Sequence, residues 1–481
     1  MKVLLLSPPF VKAFCRSQRW PVRTRSRVIR YPDWLAYATA VLEKNGYKAK
    51  LVDSVAENHT MKDVENLLRY EKPDVVVLDA TTPSIYNDIA YATLCKKYDI
   101  FTVFVGPHAT ALPEETLKMA KGSVDCIARG EYDYTILDLV RHLEEGKSLS
   151  NVLGISYLEN GIIKHNPNRP LIENLDELPF PAWHHLDVKK YFNSIYYYPY
   201  LDIISGRGCP FRCTFCQWPQ VMHGRRYRFR SAQNTVDELE YDFEHYPIKE
   251  VFFEDDTFTA NRKRARQICY EILKRGLDIT WSCNSRCDVL DLELLKLMKR
   301  AGCRMLLIGP ESGSQKILDN VRKNLKIETI REFVKLAKKA GLQLHACYVI
   351  GLPGETKETI ELTIRFAKEL DTDTIQVAGA MPQVGTEFYE WAKRHGYLKI
   401  VSWDEYVQNG EQVPVIDYPH LSREEINNAV DRMYKEYYFR PKVIMRLLIN
   451  TYSISDFYRK VKGALNLIEY FLRSRLKHMS K

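Results

Sequence analysis

Short apolar runs alternate with amphipathic helical stretches along most of this chain, in two separate series. In the first, Val3–Leu6, Ala49–Val52, Asp74–Asp79, Phe101–Val105 and Val124–Ala128 read as strands. Helical stretches such as Asp33–Asn45, Met61–Tyr70 and Tyr86–Lys97 lie between them. Buried strands joined by helices predict an α/β fold with a doubly wound parallel sheet. The second series has strand starts near Leu201, Lys249, Asp278, Cys303, Gln343 and Asp373. Each precedes a helical pattern: Asn234–His245, Arg262–Lys274, Asp291–Ala301, Lys326–Ala340, Lys357–Glu369 and Thr386–His395. Six such units predict a partial (β/α)6 barrel with its chemistry at the carboxyl ends of the strands. The expected organisation is a sheet domain over 1–145, a connector over 146–195 with Pro167, Pro170, Pro179 and Pro181, a barrel over 196–385 and a helical, basic region over 386–481.

Composition narrows the class. With 45% hydrophobic and 27% charged residues in 481, a disordered chain, a collagen-like fibre and a polytopic membrane protein are excluded. The 11 cysteines are an odd number, so at least one lies outside any intrachain disulfide, and the length and Cys density argue against a secreted disulfide scaffold. The opening MKVLLLSPPF has one charge and four consecutive apolar residues, short of the roughly 7–15 a secretory segment needs. No apolar run approaches the roughly 18 residues of a spanning helix. A cytoplasmic protein with reduced thiols is expected. The net charge of +9 is uneven: Arg432–Lys481 holds 12 Lys/Arg against three acids, and Val11–Pro32 seven against none.

Ligands of parallel sheets bind beyond the carboxyl ends of the strands. In the first series those ends carry SPPF (Ser7–Phe10), ATTPS (Ala80–Ser84), GPHAT (Gly106–Thr110) and RGEYDYT (Arg129–Thr135). Small residues, prolines and hydroxyls there suit a flat, bulky ligand, and no GxGxxG marks a dinucleotide site. At the end of the first barrel strand stands GRGCPFRCTFC, with Cys209, Cys213 and Cys216 spaced C-x3-C-x2-C. Three thiolates on a tight loop can hold three irons of a [4Fe–4S] cluster and leave the fourth open to a ligand. Zinc competes, but a structural zinc takes four ligands and the nearest further candidate is His223. Three unrelated cysteines are the remaining alternative.

The triplet, with Phe215 before its last Cys, resembles the radical S-adenosylmethionine (SAM) superfamily over roughly 196–385. The resemblance implies a cluster on Cys209, Cys213 and Cys216 whose unique iron binds the amino and carboxylate groups of SAM. Reduction then cleaves SAM to methionine and a 5′-deoxyadenosyl radical, with electrons from an external donor such as a ferredoxin or flavodoxin. FFEDDTF (Phe252–Phe258), GPESGS (Gly309–Ser314) and VIGLPGET (Val349–Thr356) match the family's SAM-binding segments. They nominate Asp255, Asp256, Glu311, Ser312 and Gly351 beside Phe215. Glu254, Asp255, Asp256 and Glu311 could equally cap helices. Cys283, Cys287 and Cys303 read as core or wall.

A Rossmann-like domain ahead of such a barrel resembles the cobalamin-binding radical SAM subfamily. This nominates Thr82, Pro83, Ser84, Gly106, His108 and Glu131 for cobalamin contact. No D-x-H-x-x-G is present, so cobalt is expected without a protein histidine ligand. The overall look, through the connector LDELPFPAW (Leu175–Trp183) and YYFRPKVIMR (Tyr437–Arg446), is similar to radical SAM enzymes of hopanoid and other membrane-lipid pathways. A hydrophobic, lipid-linked substrate is the expectation, modified by radical rearrangement, cyclisation or carbon–carbon bond formation, with methylcobalamin-dependent C-methylation as the alternative. An RNA substrate and a non-catalytic cobalamin or membrane adaptor rank below both. Ile444, Leu447 and Leu448, and Leu465, Leu467, Ile468 and Phe471 near Arg473, Arg475 and Lys477, read as basic amphipathic helices. Peripheral contact with the inner membrane face competes there with a cap on the barrel. The basic stretch Lys12–Arg30 is expected to meet phosphate groups of cobalamin or substrate.

Overall fold

A computed structural model describes residues 1–16, 21–408, 411–449, 451 and 453–479, with the backbone alone at 408, 411, 412, 455 and 473–479. The first sheet is built from β1 (Lys2–Ser7), β2 (Lys48–Asp53), β3 (Val75–Asp79), β4 (Phe101–Val105) and β5 (Cys126–Ala128). The crossover helices are α1 (Asp33–Lys44), α2 (Met61–Glu71), α3 (Ile85–Lys96), α4 (Pro107–Ala111), α5 (Pro113–Ala120) and α6 (Asp133–Glu144). The strand order is β2-β1-β3-β4-β5, all parallel. β3, VVVLD, is buried at every position, as a strand covered by helices on both faces must be.

The connector does more than join. β6 (Ile155–Glu159) and β7 (Ile162–His165) extend the same sheet as an antiparallel hairpin on β5. Their mixed composition hides this: β7, IIKH, has no buried residue, so the alternation that marks a half-buried strand is missing.

The second sheet holds β8 (Tyr200–Ile203), then, beyond a two-stranded ladder of β9 (Gly206–Arg207) and β10 (Arg228–Phe229), β11 (Glu250–Phe253), β12 (Trp281–Ser285), β13 (Cys303–Glu311), β14 (Gln343–Ile350) and β15 (Thr374–Gly379). Each of the six main strands lies beside its predecessor in the order β8-β11-β12-β13-β14-β15, all parallel, which makes an open half-barrel. Its helices are α7 (Gln217–Val221), α8 (Ala232–His245), α9 (Arg262–Arg275), α10 (Leu292–Arg300), α11 (Gln315–Asn320), α12 (Ile327–Lys339), α13 (Lys357–Leu370) and α14 (Glu387–Arg394). The chain ends in α15 (Arg423–Tyr438), α16 (Pro441–Ile449) and α17 (Ile454–Met479).

An open half-barrel leaves two strand edges with unpaired backbone groups. Tyrosine hydroxyls close both. On β15, the N–H groups of Ile375 and Val377 donate to Tyr438 and Tyr434 of α15, each at 2.9 Å, and Tyr438 donates to the Ile375 carbonyl at 2.8 Å. On β8, Tyr31 donates to the Tyr200 carbonyl at 2.6 Å, and the Ile204 N–H donates to Tyr37 at 3.2 Å. The tyrosines of the late YYF segment are therefore part of the barrel cap. No described helix is long and apolar enough to cross a membrane.

The two sheets are joined by buried ion pairs. Arg207 donates to Asp133 at 2.7 and 3.1 Å beneath the Trp34 ring, and Arg228 donates to Glu131 at 2.8 Å. Across the carboxyl ends of the first sheet, the short turn Trp403–Tyr406 folds back from beyond the barrel.

Candidate active site

A cavity of about 680 Å³ lies between the cysteine loop, the carboxyl ends of the half-barrel, the Val22–Arg30 loop and the last three helices. Cys209, Cys213, Phe215 and Cys216 all stand on its wall. Cys213 is buried, and Cys209 and Cys216 are half-buried. The loop is fixed by its backbone: the Thr214 N–H donates to Val321 at 3.0 Å, the Thr214 carbonyl accepts from Phe388 at 3.1 Å, and Gln220 donates to the Cys216 carbonyl at 2.7 Å. Burial and the Asp256 carboxylate push the Cys209 thiol up, so the ligand-free thiol holds its proton. The spacing also bears on which metal fits. One ion with Zn–S bonds of about 2.3 Å draws its sulfurs to within about 4 Å of each other. Among the described residues the trio of His, Cys, Asp or Glu donors within 4.8 Å of one another is Glu43, His184 and His185. The ligand-free triplet is not drawn together as one bound ion would hold it, and three thiolates suit three irons of a multi-iron cluster.

Beside the cysteines stand Glu254, Asp256, Asn284, Arg286, Glu311 and Lys323. Asp256 accepts the Gly208 N–H at 3.1 Å and bonds His223 Nδ1 at 3.0 Å. Glu311 has left-handed backbone, φ 62°, and its carboxylate folds back over Gly309 to accept from Lys323 at 2.7 Å. A Cβ on Gly309 would sit 2.1 Å from Glu311 Oε1 and 3.0 Å from Lys323 Nζ, so only glycine admits this arrangement. Burial pulls the Lys323 ammonium down, but the Glu311 carboxylate outweighs it and holds the group charged, above its ordinary range. Arg286 lies 3.6 Å over the Phe211 ring of the cysteine loop. A carboxylate, an ammonium and a glycine floor beside the cysteines fit the zwitterion and nucleoside of SAM.

Three of the residues nominated for SAM stand off this wall. Asp255 turns away from the cavity, accepting from Ser205 at 2.7 and 2.8 Å and from Tyr227 at 2.8 Å. Ser312 is buried against Thr363 at 3.0 Å. Gly351 lies beneath Ile426 of α15, and its carbonyl accepts from Tyr418 at 2.8 Å. Sequence reasoning missed Arg286 and Lys323. Lys323 sits in a helix connection twelve residues beyond Glu311, with no local pattern to mark it.

The residues nominated for cobalamin are also deeper than their loops suggest. Thr82, Pro83, Ser84 and His108 are buried, and His108 packs edge-on to Trp403 at 5.4 Å. His108 Nδ1 meets Thr82 at 3.0 Å, its Nε2 is buried with no hydrogen-bond partner, and burial pushes the imidazole down to about 3. Gly106, φ 101°, carries the chain 2.7 Å past the Ala80 carbonyl as measured from an added Cβ. Glu131 is held by Arg228 and the Ile172 N–H. The cavity instead extends along the Val22–Arg30 loop to Pro219 and Met381. Four of the seven Val11–Pro32 cations are paired within the protein: Arg16 with Asp88 at 2.9 Å, Arg25 with Asp431 at 3.0 Å, Arg27 with Glu469 at 3.1 Å and Arg30 with Asp202 at 3.1 Å. Arg23 of the same stretch lines the cavity. Arg19 and the side chains of Arg473, Arg475 and Lys477 lie outside the described residues.

Comparison with known proteins agrees with this geometry. The Radical SAM superfamily model matches residues 203–367, and the B12 binding domain model residues 20–140. An uncharacterized methyltransferase of Pyrococcus horikoshii is 36% identical over 448 residues, covering 93% of this chain and 94% of that protein. The chain belongs to the radical SAM superfamily. Its radical SAM barrel follows a B12-binding domain. The anaerobic magnesium-protoporphyrin IX monomethyl ester cyclase of Rubrivivax gelatinosus is 28% identical over 489 residues, covering 98% of this chain and 83% of that one. Among solved structures, the radical SAM methyltransferase TsrM of Kitasatospora setae, with cobalamin and a [4Fe–4S] cluster bound, superposes with a TM-score of 0.72 at 16% identity over 98% of this chain and 99% of that one. That likeness confirms the expected α/β architecture of parallel sheet, half-barrel and helical end.

Proposed function

We propose that this radical SAM enzyme is a cobalamin-dependent C-methyltransferase acting on a hydrophobic substrate drawn from a membrane. When bound, a [4Fe–4S] cluster on Cys209, Cys213 and Cys216 supplies reductive SAM cleavage, with electrons from a ferredoxin or flavodoxin, and cobalamin supplies the methyl group. Asp256, Glu311 and Lys323 orient SAM by charge and hydrogen bonds in a site that excludes bulk water. Asp255 serves at one remove, fixing Ser205 and Tyr227.

The observation that carries the substrate class is the far wall of the cavity. Ile444, Leu448, Phe457, Val461 and Ile468 of α16 and α17 line it and are also exposed outside. An apolar molecule can thus pass from the protein's surface to the cysteines along an apolar path. Met445, Ile449, Ile454 and Leu465 widen the exposed patch, and from Pro441 onward nine Lys/Arg face two acids. Apolar side chains flanked by cations favour an anionic bilayer surface. The expectation placed rearrangement or cyclisation first; the 36% identity to a protein named as a methyltransferase supports methyl transfer instead. The cyclase relative keeps ring formation as the second reading.

The test is anaerobic product analysis with reconstituted protein, cobalamin, reductant and a lipid extract, against Cys213→Ala. Methyl transfer gives paired 5′-deoxyadenosine and S-adenosylhomocysteine that depend on the extract. Extract-dependent 5′-deoxyadenosine alone supports ring formation. Products at the Cys213→Ala level with protein of full iron content would overturn the proposal.

A further inference from the structure

We infer that Glu43, His184 and His185 form a binding site for a first-row divalent metal ion of the zinc type, separate from the barrel cavity. Their donor atoms all lie within 4.8 Å of one another. His184 Nε2 is 3.1 Å and His185 Nε2 2.9 Å from the same Glu43 Oε1. Donors about 3 Å apart are the neighbours found around an ion with bonds of about 2.0–2.2 Å. The two imidazole rings lie 4.4 Å apart, tilted by 39°, so both nitrogens converge on one point.

The fold prepares this convergence. Consecutive side chains normally diverge, but the tight turn Trp183–His185 brings the two rings to the same side. Its leading residue, Trp183, is buried as an anchor, and the Ala182 N–H donates to the Ala36 carbonyl of α1 at 3.1 Å. Glu43 stands two helical turns beyond Ala36, on the same face. Two imidazoles and one carboxylate oxygen suit zinc and its neighbours better than magnesium or calcium, which take oxygen donors. Three protein donors leave a position for water. His184 is exposed on its outer side, so the ion enters from solvent. Bound there, it clamps the end of α1 to the connector that leads into β8, tying the B12-binding sheet to the barrel's first strand.

The experiment uses the full chain loaded with cluster and cobalamin, dialysed against zinc chloride in a weak chelator, with metal analysis and a thermal melt. One zinc per chain beyond the iron content is expected, with a zinc-dependent rise in melting temperature. Glu43→Gln and His185→Asn are each expected to weaken zinc binding by roughly tenfold or more and to remove that rise, with iron content and SAM cleavage unchanged. No bound zinc in the wild-type protein, or equal zinc in both variants, would show an ordinary imidazole–carboxylate contact and overturn the site.

Discussion

Gly309 has no side chain, yet it decides where Glu311 points. Gly309→Ala puts a methyl group where the Glu311 carboxylate and the Lys323 ammonium meet. It is expected to weaken SAM binding by roughly tenfold, about 1.4 kcal/mol, measured by equilibrium dialysis with cluster content unchanged. A second residue-level effect concerns pH. Burial pushes Glu355, which accepts the Gly351 N–H at 3.2 Å, up to about 7. The folded chain then holds this proton more tightly than the unfolded one. Its contribution to stability is full below the unfolded value, near 4.3, and is lost as pH rises through about 7. Glu355→Gln should melt close to the wild type at pH 5 and higher at pH 8, by up to about 3 kcal/mol; equal melting at both would refute the shift. The cysteine triplet and Glu311 were legible because their chemistry is written in consecutive residues. Lys323 and Arg286 were not, since only the barrel's curvature brings them to the cysteine loop.

At the scale of elements, the strands and helices of both series stand within a few residues of their expected positions, because buried parallel strands carry long apolar runs whatever surrounds them. The hairpin β6–β7 escaped notice because one of its strands, IIKH, buries no residue and shows no alternation of apolar and polar positions. What the tail helices do was half legible. α15 closes the barrel edge through hydroxyls, a contact with no hydrophobic pattern to announce it, whereas α16 and α17 keep the exposed apolar side chains that the amphipathic reading anticipated. Tyr438→Phe leaves the Ile375 N–H of β15 without its acceptor. Unfolding in urea should show a loss of about 1–3 kcal/mol, and an unchanged midpoint would mean that water replaces the hydroxyl.

Across the whole molecule, one apolar surface joins the cavity to the outside. Leu448→Glu with Ile449→Glu, both exposed in the wild type, should weaken binding to anionic vesicles by roughly tenfold while leaving the fold intact. Flotation assays that show equal binding would remove the bilayer from the account. The same region carries a consequence for how the protein comes into being. The cavity is closed on one side by the first loop and on the other by the last helix, stitched together through Arg25 to Asp431, Arg27 to Glu469, and Asn466 to the Ser26 carbonyl. One partner in each stitch lies within the first thirty residues and the other beyond residue 430. During translation the cysteine loop is therefore complete long before its roof exists. A nascent chain presents an open vessel until its last helix has followed.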